Sequence, residues 1–185
     1  MVEELKTDEL AWSFPVVVAN LPEAGAEFDL DPDEAARNSL AHFAGVLAVP
    51  ALAARLRVQP IGRDGAVIDG TIEGAVRQVC GVTLEAFDNP ISESVSLRFA
   101  STGATAKNPD GEVDVDIAAD DPPDPLVNGA VDLAAVVAEF LALAVDPYPR
   151  KPGAVFSPPV EPGGQGSSPF AELEKLKAGK KGENG

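Results

Sequence analysis

The chain has 185 residues and a formal net charge of −16, from 14 Lys and Arg against 30 Asp and Glu. Because 45% of the residues are hydrophobic, the chain can build a core, which excludes a fully disordered protein. The acidity argues against a protein that coats nucleic acid regardless of sequence, since such binding depends on Lys and Arg that neutralise phosphates.

The single cysteine and the first residues of the chain indicate where the protein is located and which metal sites it lacks. No apolar run approaches the length of a transmembrane helix, and the first ten residues hold four acids and no apolar segment. A single cysteine forms neither an internal disulfide nor the paired ligands of a structural zinc site. We therefore expect a cytoplasmic protein with no membrane span, no metal and no cofactor.

The charge divides the chain in two. Residues 1–149 carry a net charge of −18, and residues 150–185 carry +2. The acids are densest in residues 108–146, which contain no Lys or Arg. This break predicts an α+β domain over residues 1–150, followed over residues 151–185 by a Pro- and Gly-rich linker and a short amphipathic helix.

The first predicted elements are a short strand and a helix. Residues 12–19 are typical of a strand, and Pro15 places it at a sheet edge. Asp31 precedes a proline and suits a helix N-cap, so we expect a helix that starts there, runs to about Phe43 and stops at Gly45. Its inward face is predicted to hold Ala36, Leu40 and Phe43.

Three segments with alternating apolar residues predict an antiparallel sheet with one solvated face. They are residues 52–59, residues 68–76 after a turn at 62–65, and residues 91–99. One face of each strand is apolar and the other is polar, so we expect helices to cover the apolar face.

The register of the first hairpin is predicted from its turn. The apolar residues of both strands must lie on one side of the sheet, which limits the possible pairings to every second residue. A loop centred near Asp64 then places Leu56 opposite Ile72 and Arg55 opposite Glu73.

The second half of the domain contains the principal helix. Residues 102–125 are rich in loop-forming residues, with one short strand predicted at 113–117. Asp132 is the predicted N-cap of a strongly apolar helix that ends at Asp146–Pro147. Together these elements predict an α+β fold in which two main helices cover an antiparallel sheet, either open or closed into a barrel.

The C-terminal tail is predicted to be a linker and a short helix. Residues 149–169 are rich in Pro and Gly, which favours a flexible segment without a core of its own. Ser168 and Pro169 suit the start of an amphipathic helix whose apolar side holds Phe170, Leu173 and Leu176. So short a helix is marginal alone, and we expect it to need a partner surface.

Four arginines fall on the polar positions of the predicted strands: Arg55, Arg57, Arg77 and Arg98. The sheet gathers them on its solvated face, where they can contact RNA phosphates or an acidic partner. In the alternative interpretation, Arg55 pairs with Glu73 across the hairpin and the other arginines only keep the face soluble.

Residues suited to catalysis are few. His42 is the only histidine and lies near the end of a predicted helix, while Cys80 has no second cysteine or base beside it in the sequence. The aspartates of residues 114–121 lack the Gly and Glu spacing of a calcium loop. We therefore expect no enzyme, no catalytic residue and no small-molecule substrate.

Three blocks, in order along the chain, resemble the YceD family of large ribosomal RNA subunit accumulation proteins in its alphaproteobacterial form. The first is Val79–Glu85, the second is Val131–Leu133 with the helix end at 146–153, and the third is Ser168–Lys177, similar to the family ending (N/S)PFxxLxxLK. Many members carry CxxC in the first block. Here the second cysteine position holds Thr83, so the resemblance carries no metal role over to this chain.

The resemblance implies a non-enzymatic factor in ribosome biogenesis that supports synthesis or accumulation of the large-subunit (23S) ribosomal RNA. Two hypotheses stay open: it binds pre-rRNA or an assembling large subunit, or it is an acidic adaptor or chaperone for a basic ribosomal protein without direct RNA contact. The oligomeric state is not predicted. The candidate RNA or partner contacts are Arg55, Arg57, Arg77, Arg98, Tyr148, Arg150, Lys151, Phe170, Leu173, Lys175, Leu176 and Lys177, with Cys80 as the family-motif position.

Overall fold

The computed structural model describes residues 10–62, 65–101 and 123–156. The chain divides into two compact units, Met1–Ala154 and Val155–Gly185. The described elements all lie in the first unit, in the order β1 (Pro15–Val17), a short 3-10 helix (Val18–Asn20), β2 (Ala26–Leu30), α1 (Glu34–Phe43), β3 (Ala48–Ile61), β4 (Gly65–Val79), β5 (Ala86–Ala100), β6 (Asp124–Pro125), β7 (Ala130–Asp132) and α2 (Leu133–Ala144).

The main sheet has the strand order β2-β3-β4-β5-β6. Neighbouring strands from β2 to β5 are antiparallel, while β6 pairs in parallel with the end of β5. Among the described strands the sheet is open, with β2 at one end and β6 at the other, so no barrel closes there. This confirms the α+β class and decides between the open and the closed alternative.

The alternating pattern of the sequence explains which face of the sheet is buried. In β3, Leu52, Ala54, Leu56 and Val58 are buried and the residues between them are exposed. The same alternation continues through β4 and β5, where Ile72 and Ile91 are among the buried residues. The helices α1 and α2 pack against the strands, and the described residues share one hydrophobic core.

The predicted register of the β3–β4 hairpin is wrong by two residues. Leu56 lies opposite Gly70, and Arg55 lies opposite Thr71. A Cβ atom on Gly70 would meet the carbonyl oxygen of Arg55 and lie 2.9 Å from Cδ2 of Leu56. The register therefore sets the large Leu56 over a residue without a side chain, and Ile61 pairs with Gly65 across a tighter turn than predicted.

The predicted N-cap of α1 is also wrong. Asp33, and not Asp31, has the extended backbone of an N-cap, and its Oδ1 accepts the N–H of Ala36 at 2.8 Å. Pro32 is fully buried just before the helix, so the chain enters the core there and turns into α1 two residues later than expected. The helix ends at Phe43 as predicted, followed by Gly45 at φ +67°.

The predicted N-cap of α2 is confirmed. Asp132 Oδ1 accepts the N–H of Ala134 at 3.0 Å and the N–H of Phe14 at 2.8 Å, and Oδ2 accepts the hydroxyl of Ser13 at 2.7 Å. One carboxylate thus begins the helix and holds the chain just before β1, which pairs with β7 in a small separate sheet.

The short strands were predicted only in part. The sequence pattern indicates β1 as an edge strand but gives no sign of β2 or β7. The predicted strand at 113–117 and the tail helix lie outside the described residues.

Candidate partner-binding surface

The structure places the four predicted arginines on the exposed face of the sheet. Arg55 contacts Asp29 of β2 at 2.7 Å, and Arg77 contacts Asp88 of β5 through two hydrogen bonds of 2.6 and 2.9 Å. The predicted pairing of Arg55 with Glu73 is wrong, because Arg55 lies opposite Thr71 of β4 and forms its salt bridge with Asp29 of β2, a strand that the sequence did not predict.

The other two arginines have partners as well. Arg57 donates to the carbonyl oxygen of Ala24 at 2.9 Å and lies 3.7 Å from a carboxylate oxygen of Glu27. Arg98 also interacts with a neighbouring group. The exposed face of β2 to β5 is therefore balanced in charge, since its arginines lie among the carboxylates of Glu27, Asp29, Asp69, Glu73 and Asp88.

A second set of candidates meets at the turn between β4 and β5. Cys80 begins this turn: its N–H donates to the carbonyl oxygen of Glu85, and its own carbonyl oxygen accepts the N–H of Leu84, both at 2.9 Å. Leu84 has φ +60°, a left-handed conformation that is unfavourable for a leucine. These two hydrogen bonds hold the turn closed despite the strain at Leu84.

The chain that follows α2 packs directly on the turn. Pro149 accepts the N–H of Gly81 at 2.9 Å, and the N–H of Lys151 donates to Sγ of Cys80 at 3.4 Å. Two residues before Cys80, in β4, the side-chain amide of the buried Gln78 donates a hydrogen bond to the carbonyl oxygen of Asp146 at 2.8 Å. The tertiary structure thus joins the first sequence block, Val79–Glu85, to the end of the second, residues 146–153.

The sulfur of Cys80 is a hydrogen-bond acceptor at the centre of this junction. The backbone N–H groups of Val82, Thr83 and Lys151 each lie 3.4 Å from Sγ. Hydrogen bonds from the side chain of Thr83 and from the backbone of Lys151 lower the pKa of the thiol to about 6, against the opposing effect of burial. The side chain is fully buried.

A salt bridge closes the outer side of the junction. Lys151 Nζ lies 2.9 Å from Oε2 of Glu85, and this contact lowers the pKa of Glu85 and raises the pKa of Lys151. Both side chains are about half exposed, and solvent weakens such an ion pair. The salt bridge therefore orients the chain around Lys151 and adds little to the stability of the fold.

The junction does not fit a metal site. It offers one sulfur, whose acceptor positions are taken by N–H donors, and the second motif position is a threonine. Within residues 10–62, 65–101 and 123–156, no group of three or more His, Cys, Asp or Glu side chains is placed to hold a metal ion.

Large side chains project from this junction into solvent. Leu84 is 77% exposed, Tyr148 is 82% exposed, and Val79 at the end of β4 is 42% exposed. Arg150 and Lys151 are exposed beside them. We call these five residues the knuckle surface.

The knuckle surface agrees only in part with the predicted contacts. Tyr148, Arg150 and Lys151 are among the predicted contacts. Leu84 and Val79 are not, because neither periodicity nor charge marks an exposed apolar residue in a turn or at the last position of a strand. The tail candidates, Phe170, Leu173, Lys175, Leu176 and Lys177, lie outside the described residues.

Comparison with known proteins assigns the family. A search of curated proteins and a search of solved structures give no significant match. Residues 68–177 match the family model described as "Large ribosomal RNA subunit accumulation protein YceD". The matched range starts within β4, includes Cys80 and α2, and extends over more than half of the chain. No helix in the described part of the chain is long and apolar enough to cross a membrane. The chain belongs to the YceD family.

Proposed function

We propose that this protein supports the accumulation of large-subunit ribosomal RNA as a binding factor rather than an enzyme, by attaching to pre-rRNA or to the assembling large subunit. The observation that carries the proposal is the knuckle surface: two blocks far apart in sequence form one scaffold that exposes Leu84 and Tyr148. Large apolar and aromatic side chains exposed on a rigid support are typical of interaction sites.

The chemistry of the knuckle surface suits an unpaired RNA segment within an assembling particle. The phenol ring of Tyr148 offers a face on which a base can stack, and Arg150 offers a charge for a neighbouring phosphate. The acidic remainder of residues 1–149 opposes binding elsewhere on the RNA. Contact is therefore local, and the basic tail of residues 150–185 is a second point of attachment.

Co-sedimentation with ribosomal particles tests this proposal. We expect the full chain to migrate with large-subunit precursors, and the variant with both Leu84→Ala and Tyr148→Ala to shift to the free fraction. The matched control is Ile61→Ala, which removes an apolar side chain that is 56% exposed at the far end of β3. Equal sedimentation of the double variant and the wild type would contradict a role for the knuckle surface.

A second candidate function is an acidic adaptor for a basic ribosomal protein. It is favoured by Arg55, Arg57 and Arg77 of the sheet face, which lie beside carboxylates and so present no basic patch to RNA. Binding to isolated rRNA across a salt series separates the candidates. A logarithmic salt slope near zero, with retained binding to particles, would favour the adaptor.

A further inference from the structure

The edge of β3 is covered along only part of its length. β2 pairs with Ala54–Val58 and ends at Leu30, whereas β3 begins at Ala48. In the described ranges no strand pairs with residues 50–53 on this side. An uncovered strand edge presents N–H and C=O groups that can bind another chain in an extended conformation.

The free groups on this edge can be identified from the ladder. The carbonyl oxygens of Ala51 and Arg55 lie against Gly74 and Gly70 of β4. Backbone groups of successive residues in an antiparallel strand point to opposite sides, so both the N–H and the C=O of Leu52 point away from β4. The register shift between Ala48 and Ala51 interrupts this alternation on the N-terminal side of Leu52.

A cavity of about 790 Å³ lies along this stretch. Its walls include the edge residues, the end of β2, and the side chains of Asp31, Arg37, Arg55 and Glu73. Ala51 and Ala53 are exposed and small, so they leave room above the sheet for side chains of a bound segment.

The charges around the cavity favour a basic occupant. Arg55 is bonded to Asp29, and Nη1 of Arg37 donates to the carbonyl oxygen of Pro32 at 2.7 Å. Asp31 and Glu73 have no ion-pair or hydrogen-bond partner in the part of the chain that the structure describes. The lining residues thus carry three carboxylates, of Asp29, Asp31 and Glu73, against two guanidinium groups, and this excess favours a cation over an anion.

We propose that a short, extended, Lys- or Arg-bearing segment of a partner protein binds here as an added strand, with its backbone on Leu52 and its cations on Asp31 and Glu73. This inference deepens the adaptor candidate and rests on it. Backbone pairing gives affinity for any extended chain, and the carboxylates select a basic one.

A peptide titration of the full chain tests the proposal. The probe is a short synthetic peptide that alternates Lys and Thr, and the readout is NMR with amide hydrogen exchange. We expect the peptide to slow exchange of the Leu52 amide, and a peptide with N-methylated backbone amides to bind much more weakly. Equal binding of both peptides, or a Leu52 amide already protected in the free protein, would overturn the proposal.

Charge variants distinguish binding of the basic peptide at this cavity from its general attraction to an acidic protein. The variant with Asp31→Asn and Glu73→Gln is expected to bind the peptide about three- to tenfold more weakly. The control with Glu23→Gln and Glu139→Gln removes the same charge from exposed positions elsewhere and is expected to bind as the wild type does. Equal weakening in both variants would contradict a defined site.

Particle binding is measured separately, so the two proposals can fail independently. If the Asp31 and Glu73 variant still sediments with particles while losing the peptide, the edge site exists but does not carry particle binding. If the peptide does not bind the wild type, while the knuckle variants still abolish co-sedimentation with particles, the edge proposal alone is overturned.

Discussion

The backbone N–H of Lys151 donates a hydrogen bond to Sγ of Cys80 at 3.4 Å, across 71 positions of sequence. It fastens the segment after α2 to the turn that ends β4. The contact depends on the sulfur being a good acceptor, and a thiolate is a better acceptor than a thiol. The protonation of Cys80 is therefore coupled to the geometry of the knuckle surface.

The first prediction concerns the titration of Cys80. Because the chain has one cysteine, thiolate absorbance in the ultraviolet reports this group alone after subtraction of a Cys80→Ser spectrum. We expect a midpoint near the pKa of about 6, far below the ordinary value of 9.0. A midpoint at or above the ordinary value would contradict the hydrogen-bonded thiolate.

The same group predicts how stability depends on pH. Its pKa is lowered in the folded state, so the unfolded chain binds the proton more tightly. The thiolate contribution to the free energy of unfolding is thus complete above pH 9 and is lost as the pH falls from 9 towards 6. Denaturant unfolding of the wild type and Cys80→Ser over this range is expected to show a difference that shrinks at lower pH; a constant difference would exclude the coupling.

The second prediction concerns the strain at Leu84. Glycine adopts the left-handed conformation without steric cost, and the exposed Leu84 side chain contributes little packing. Leu84→Gly is expected to leave stability unchanged or raise it by about 1 kcal/mol, since the relieved strain offsets the added freedom of the unfolded chain. In co-sedimentation the same variant is expected to bind particles less well. If Leu84→Gly gains stability and binds particles as well as the wild type does, the role of Leu84 in partner binding is contradicted.

The third prediction concerns Gly70 under Leu56. A Cβ atom there meets the backbone of β3, which cannot move without breaking the ladder, so Gly70→Ala is expected to destabilise the fold by about 2–3 kcal/mol. The matched control is Gly81→Ala, where the nearest atom lies at an ordinary 3.7 Å. Chemical denaturation of both variants is the measurement, and a similar loss in the two would contradict the register argument.

The fourth prediction compares the two helix caps. Asp33 accepts one hydrogen bond from its helix, whereas Asp132 accepts one from α2 and two from the chain before β1. We expect Asp33→Ala to cost about 1 kcal/mol of unfolding free energy and Asp132→Ala at least about 2 kcal/mol. Thermal and denaturant unfolding measure both, and equal losses would indicate that Asp132 acts as a cap alone.

Features that depend on local chemistry and on the period of the apolar residues follow from the amino-acid sequence alone. Alternation of apolar and polar residues decided that β3, β4 and β5 are strands and which face each buries, since side chains in a strand alternate strictly. Asp132 marked the start of α2, and the Asp146–Pro147 stop marked its end, at Ala144, to within about two residues, because capping and proline act within one helical turn. The sequence blocks around Cys80 and after α2 indicated the family.

Which residues lie in contact across the fold does not follow from the sequence pattern and depends on tertiary packing. The register of β3 on β4 depends on Leu56 packing over Gly70, a contact between strands that neither strand shows alone. Arg55 finds Asp29 because β2, a strand too short and weakly patterned to predict, adds to the sheet edge. The bond from Lys151 to Cys80 needs α2 to lie across the sheet and return the chain to the end of β4. Each of these contacts joins residues far apart in sequence, and packing of the whole core selects them where local pattern cannot.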